Sequence, residues 1–263
     1  MGGAILSGLL KSGFNPDNVS VSTKSTDSAE RLTDEVGVLS FAMENGDDAN
    51  QMAVAGANVV LICVKPAYVT EVLADIADSL DDNALVISVA AGVTTAAMEK
   101  VLPEDVGVVR AMPNTPSIVG RGLTGISAGS RATEWAIETA VQLFETVGKT
   151  LVLDESKIDA LSTISGSGPA YVFYLIEQLT NAAKHQGFSD EEAALLVNET
   201  FLGAAELLVS SKKTPEALRK QVTSPNGTTE RAIARMTETD LQKMFIEATD
   251  AALARAKELA SGK

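Results

Sequence analysis

Val59-Val60-Leu61-Ile62-Cys63-Val64-Lys65-Pro66 is the stretch that decides the fold. Its apolar run is uninterrupted from Val59 to Val64, rich in β-branched residues, and stopped by Lys65-Pro66. Such a run predicts a strand buried on both faces, as strands are in a parallel sheet covered by helices on each side. Downstream, Val69, Val72, Leu73, Ile76 and Leu80 recur at helical spacing and predict a helix from about Ala67 to Leu80. Leu85 to Val89 reads as the next strand, followed by a helix around Thr95 to Leu102 and a strand near Val106 to Met112. The order continues with Leu123 to Ala128, a helix from Thr133 to Val147, and Leu151 to Leu153.

Upstream, Val19 to Ser22 is a short strand candidate after a turn at Gly13 to Pro16. Asp27 with Glu30 fits a capping box, Gly37 is placed to stop that helix, and Val38 to Phe41 forms another short strand. Helices alternating with β-rich runs imply parallel strands joined by crossovers, a doubly wound, Rossmann-type α/β sheet. After Asp154 the pattern is helical only. The expected division is therefore an α/β dinucleotide-binding domain over 1–154 and an all-helical domain over 155–263.

The chain opens Met1-Gly2-Gly3-Ala4-Ile5-Leu6, already inside a helix. Gly2 and Gly3 suit the end of a glycine-rich phosphate turn, but no strand and no earlier glycines of G-x-G-x-x-G stand before them. The expectation is a chain about a dozen residues short of that motif.

Composition narrows the function. The 263 residues hold 21 Lys+Arg against 35 Asp+Glu, a net charge of −14, with 4% aromatics. That balance supplies neither a phosphate-neutralising patch nor stacking platforms for nucleic acid. No signal segment is evident, and the longest uninterrupted aliphatic stretch, Val59 to Val64, is too short to span a bilayer, so no membrane role is expected. A single cysteine, Cys63, excludes an intrachain disulfide and favours a cytoplasmic protein.

In an open α/β sheet the ligand lies beyond the carboxyl ends of the strands, so the segments that follow strands are where chemistry is sought. Ser22-Thr23-Lys24 follows the first strand with hydroxyls and a cation where NAD enzymes carry an acidic residue, which points to the 2′-phosphate of NADP. Lys65 supplies a local cation, and Pro66 suits a first helical turn. Ala90-Ala91-Gly92 offers small residues for close approach of a flat ring. In Met112-Pro113-Asn114-Thr115-Pro116 two prolines stiffen a loop whose Asn114 both donates and accepts. Taken singly, each also fits an ordinary turn, with Asn114 capping itself. In the helical half, Ser165-Gly166-Ser167-Gly168-Pro169-Ala170-Tyr171 interrupts and restarts a helix. Thr223-Ser224-Pro225-Asn226-Gly227-Thr228-Thr229 is a hydroxyl-rich loop whose free N–H groups suit a small carboxylate.

In this order and spacing, and over essentially the whole length, these segments resemble the pyrroline-5-carboxylate reductase family. The resemblance implies reduction of 1-pyrroline-5-carboxylate to L-proline, the last step of proline biosynthesis, with NADPH, or NADH as the alternative cofactor. It implies that Gly2, Ser22, Thr23, Lys24, Asn50, Cys63, Val64, Lys65, Pro66, Ala91, Gly92 and Asn114 line the cofactor. It places the substrate carboxylate on Ser224, Gly227, Thr228 and Thr229, with the Thr229 hydroxyl on the ring nitrogen. It also implies a homodimer through the helical domain, assembling into a higher homo-oligomer.

Asn226 stands where the family usually has glycine, and asparagine tolerates a left-handed backbone. The only histidine, His185, sits late in a helix before Gly187 and reads as a helix terminus, not a catalyst. A β-hydroxyacid dehydrogenase is disfavoured because Val172 and Ile176 fall where that family keeps its lysine and asparagine. The remaining alternative is an inactive, regulatory nucleotide-binding homologue.

Overall fold

The computed structural model describes residues 1–46 and 48–260. The described residues form seven strands: β1 Ser20–Thr23, β2 Leu39–Ala42, β3 Val59–Ile62, β4 Leu85–Ser88, β5 Gly107–Met112, β6 Gly122–Ala128 and β7 Gly148–Val152. The helices are α1 Gly2–Lys11, α2 Thr26–Val36, α3 Ala49–Val54, α4 Val69–Ile76, α5 Thr95–Glu99, α6 Glu134–Glu145 and α7 Ile158–Leu161, then α8 Gly168–His185, α9 Asp190–Ser211, α10 Pro215–Gln221, α11 Thr228–Thr237 and α12 Leu241–Ala260. Two compact units result. One comprises residues 1–167 with the described residues from Leu253 onward; the other is Gly168–Ala252.

In the first unit β1 and β2 pair parallel, and β3 to β7 form a five-stranded sheet in chain order. Alternation within the strands sorts the core into two layers. Val60, Ile62, Val86 and Val108 face Val69, Leu73 and Ile76 of α4 and Met98 of α5. Leu85, Ile87, Val109 and Ala111 face Ile5 of α1 and Ala136, Ala140 and Phe144 of α6. Helices thus cover both faces of the sheet, as the continuous apolar strands demand. Each large side chain buried this way contributes about 1.5–3 kcal/mol.

Two local expectations are corrected. β6 runs antiparallel to β5, with Arg110 opposite Ser127. The connection after Met112 contains only a short 3₁₀ turn, Thr115–Val119, ended by Gly120 at φ 70°, so it folds back as a return instead of a crossover. The Asp27/Glu30 capping box does not form. The start of α2 is capped from a distance, by Glu44 Oε2 accepting the Thr26 amide at 3.0 Å. Gly37 does end α2, at φ 78°.

Inside β5 lies a charge that the sequence reading missed. Arg110 is 3% exposed and pairs with Glu155 at 3.4 Å and Asp159 at 2.6 Å. Glu155 also accepts the Thr95 amide at 2.8 Å and its hydroxyl at 2.7 Å. A lone arginine within Val108-Val109-Arg110-Ala111 was the available signal, because a charge survives in a buried strand only with partners.

The second unit contains no strand among the described residues. The helices α8 and α9 pack as a pair. Ser189 opens α9 with a complete capping box on Glu192, and Lys184 reaches Asp190 at 2.8 Å. His185 ends α8, with Gly187 at φ 99° beyond it. The helix α9 is long and apolar enough to cross a membrane by length and composition alone. A search for uninterrupted aliphatic runs passes over it, because Asn198, Glu199 and Glu206 break the run.

Candidate active site

Parallel pairing sets the carboxyl ends of β3 and β4 side by side, Ile62 opposite Ser88, with β5 alongside β4. The segments Cys63–Pro66, Val89–Gly92 and Pro113–Asn114 therefore leave one rim of the sheet. Gly2, at the head of α1, meets this rim: a Cβ there would stand 3.1 Å from Cys63 Cβ and 3.2 Å from Sγ. Glycine thus lets the helix start close against the turn. Cys63 is exposed by surface area, but desolvation by the groups packed round its thiol pushes it up from 9.0 to about 11, against the nearby N-terminal ammonium, so little thiolate forms near neutral pH.

Lys65 leads into a 3₁₀ turn, Pro66–Tyr68, with the proline at its first position, and Val64 is exposed on the turn before it. Gly92 adopts φ 76°, a left-handed backbone that a residue with a side chain adopts only under strain, and Ala91 beside it is exposed. Asn114 does not cap itself. Its Nδ2 donates to the Ser165 carbonyl at 2.9 Å, and its Oδ1 accepts the Leu123 amide at 2.9 Å. The amide thereby pins a π-helical turn, Ser162–Gly166, to the loop after β5.

The remaining cofactor candidates belong to the β1–β2 sheet and the helix behind it. Ser22 and Thr23 end β1, the Thr23 hydroxyl donating to the Ser25 carbonyl at 2.9 Å. Lys24 follows, exposed and without an ion pair among the described residues. Asn50, 7% exposed on α3, gives its Nδ2 to Asp75 Oδ2 of α4 at 3.1 Å.

The substrate candidates all lie in the second unit, where α10 gives way to α11. Asn226 is left-handed at φ 59°, as its place in the glycine position anticipated, and its amide donates to Glu230 Oε2 at 2.8 Å. The Gly227 amide closes the turn onto the Ser224 carbonyl at 3.0 Å. A Cβ on Gly227 would fall 2.5 Å from Ser224 Oγ, so glycine is what lets the chain fold this tightly. Thr228 and Thr229 begin α11, where amides have no intrahelical acceptor.

Nearby threonines turn back on the chain: Thr223 donates to the Arg219 carbonyl at 2.6 Å and Thr237 to that of Ala234 at 2.7 Å. The hydroxyls of Ser224, Thr228 and Thr229 make no hydrogen bond among the described residues. Hydroxyls and helix-terminal amides of this kind are able to hydrogen-bond a carboxylate or a polar nitrogen.

Similarity to known proteins extends over nearly the whole chain. Residues 155–259 match the family model described as pyrroline-5-carboxylate reductase dimerisation. Residues 1–92 match the one described as NADP oxidoreductase, coenzyme F420-dependent. The pyrroline-5-carboxylate reductase of Corynebacterium melassecola is 37% identical over 98% of this chain and 95% of its own. The chain belongs to the pyrroline-5-carboxylate reductase family. The crystal structure of the Coxiella burnetii pyrroline-5-carboxylate reductase superposes with a TM-score of 0.91, at 37% identity over 97% of this chain and 93% of that one. A Plasmodium falciparum pyrroline carboxylate reductase, solved with NADP bound, shares the fold with a TM-score of 0.84 at 24% identity, over 99% of this chain and 94% of that one. A pyrroline-5-carboxylate reductase of this kind combines a Rossmann-type domain with a helical dimerisation domain, and this chain has both.

Proposed function

We propose that this protein reduces 1-pyrroline-5-carboxylate to L-proline with NADPH, in the cytoplasm, as a homo-oligomer built from dimers of the helical unit. The dinucleotide supplies the hydride; it goes to the ring carbon of the C=N bond while the nitrogen keeps a proton, giving a saturated secondary amine. The residues present fit such a group. Gly92 leaves no side chain where a flat ring needs close approach, and Lys24 is a cation with no protein carboxylate on it among the described residues.

The protein's own residues bind and orient. A protonated imine is already electrophilic, so no strong acid is required at the reacting carbon, and positioning carries the rate. Ser224, Gly227 and Thr228 hold the carboxylate through hydroxyls and amides. Thr229 Oγ1 accepts a hydrogen bond from the ring N–H and fixes which face of the ring meets the hydride. Ala91, Gly92 and the loop held by Asn114 seat the nicotinamide, while Ser22, Thr23 and Lys24 take the adenosine 2′-phosphate.

The uncommitted hydroxyls of Ser224, Thr228 and Thr229 are the observation that carries this reading. Purified protein supplied with NADPH and pyrroline-5-carboxylate is expected to consume absorbance at the nicotinamide band and to release proline. Absence of turnover with both NADPH and NADH would overturn the proposal.

A further inference from the structure

The start of α2 is already occupied by an anion from the chain itself. Parallel pairing sets Thr23 of β1 opposite Ala42 of β2, so the turns that leave these two strands lie side by side. One turn carries Lys24 and Ser25 into α2; the other is the 3₁₀ turn Met43–Asn45. Across this gap Glu44 Oε2 accepts the Thr26 amide at 3.0 Å, and Asn45 Oδ1 accepts the Thr26 hydroxyl at 2.9 Å. Helix α2 has no side-chain cap from its own N-cap residue, Ser25, whose hydroxyl is turned to Ser28 Oγ at 2.9 Å. The first amide of an eleven-residue helix therefore depends on a carboxylate eighteen positions away.

A carboxylate there is a poor neighbour for a phosphate dianion. A helix N-terminus and an adjacent lysine attract an anion, and two anions compete for the same donors. We propose that Glu44 is a specificity-determining residue of the cofactor site, an internal stand-in for the 2′-phosphate that must be displaced or tolerated when NADP binds. The inference rests on the reading of Ser22, Thr23 and Lys24 as the 2′-phosphate site. In this arrangement Lys24 favours NADP, and Glu44 holds that preference down and keeps NAD competitive. Glu44 is exposed, so it can swing clear without disturbing the core.

The test compares 2′,5′-ADP, which carries the 2′-phosphate, with 5′-AMP, which lacks it, by titration calorimetry on the full chain. Glu44→Gln keeps an acceptor for the Thr26 amide while removing the charge. It is expected to bind 2′,5′-ADP about three- to tenfold more tightly than the wild type and to leave 5′-AMP within about twofold, as removal of one nearby like charge implies. Glu44→Ala is expected to shift in the same direction, and an unchanged melting temperature checks that the fold is intact. Lys24→Ala is expected to weaken 2′,5′-ADP alone. Equal affinity of wild type and both Glu44 variants for 2′,5′-ADP, with Lys24→Ala still weakened, would overturn the role of Glu44 and leave the 2′-phosphate site standing. Binding of neither nucleotide nor NADPH by any of the proteins would overturn both.

Discussion

The two units treat their apolar residues in opposite ways. In the first, two layers of aliphatic side chains close on both faces of one sheet, and Leu73, Val86, Ile87, Val108, Ala111 and Phe144 are wholly buried. In the second, Ala193 and Val197 are the buried hydrophobic residues, while Phe173, Tyr174, Leu195, Leu202 and Val209 are more than half exposed. A helix that is apolar nearly all round is stable only where something covers it. The contrast sets a unit whose apolar faces close on one another against a helical unit whose apolar faces lie open, and it is within the latter that most of the family's dimerisation segment falls.

The largest test of this contrast strikes the open face. Phe173→Asp combined with Leu195→Asp is expected to abolish dimers in sedimentation or light scattering, since loss of buried apolar anchors costs about 2–4 kcal/mol each. Retained dimers would show that these helices are covered in another way. Next comes the α/β unit. Arg110→Met strips Glu155 and Asp159 of their partner and is expected to destabilise the protein by about 3 kcal/mol, read as a lowered denaturation midpoint, with oligomeric state unchanged.

A smaller effect separates chemistry from stability. Thr229→Ala is expected to lower kcat/KM by roughly tenfold to thirtyfold, a lost hydrogen bond to a charged group, while NADPH affinity and melting temperature stay put. Mildest is Cys63. With its thiol held up at about 11, alkylation at pH 8 should be slower than for a free thiol and should speed up in denaturant. Because the folded thiol keeps its proton above 9.0, any contribution to stability is present below that pH and is lost as pH rises towards 11.

Much of this was legible in advance. The strand Val59–Ile62, the left-handed stops at Gly37 and Asn226, and the all-helical character after the α/β region follow from local apolar period and backbone sterics. Partners distant in the chain were not. Glu44 on the Thr26 amide, Asn114 on Ser165 and Arg110 on Glu155 and Asp159 join positions 18, 51, 45 and 49 residues apart. No spacing rule finds such pairs, because the bonds exist only after the strands have set their ends side by side. The antiparallel β6 was missed for a related reason: strand direction depends on whether the preceding loop has room for a crossover, and the strand's own residues read alike either way.

By itself, the sequence determined the class of elements, the α/β-then-helical order, and the segments at which chemistry was sought. Periodicity, glycine and proline act within a few residues, so these are written locally. Only the tertiary structure decided which polar groups are already committed and which remain open. The amide of Asn114 is taken, the hydroxyls of Ser224, Thr228 and Thr229 are open, and the first turn of α2 is held by Glu44. Hydrogen-bond commitment depends on partners brought from elsewhere in the chain, and it is commitment that separates a structural polar residue from one available to a ligand.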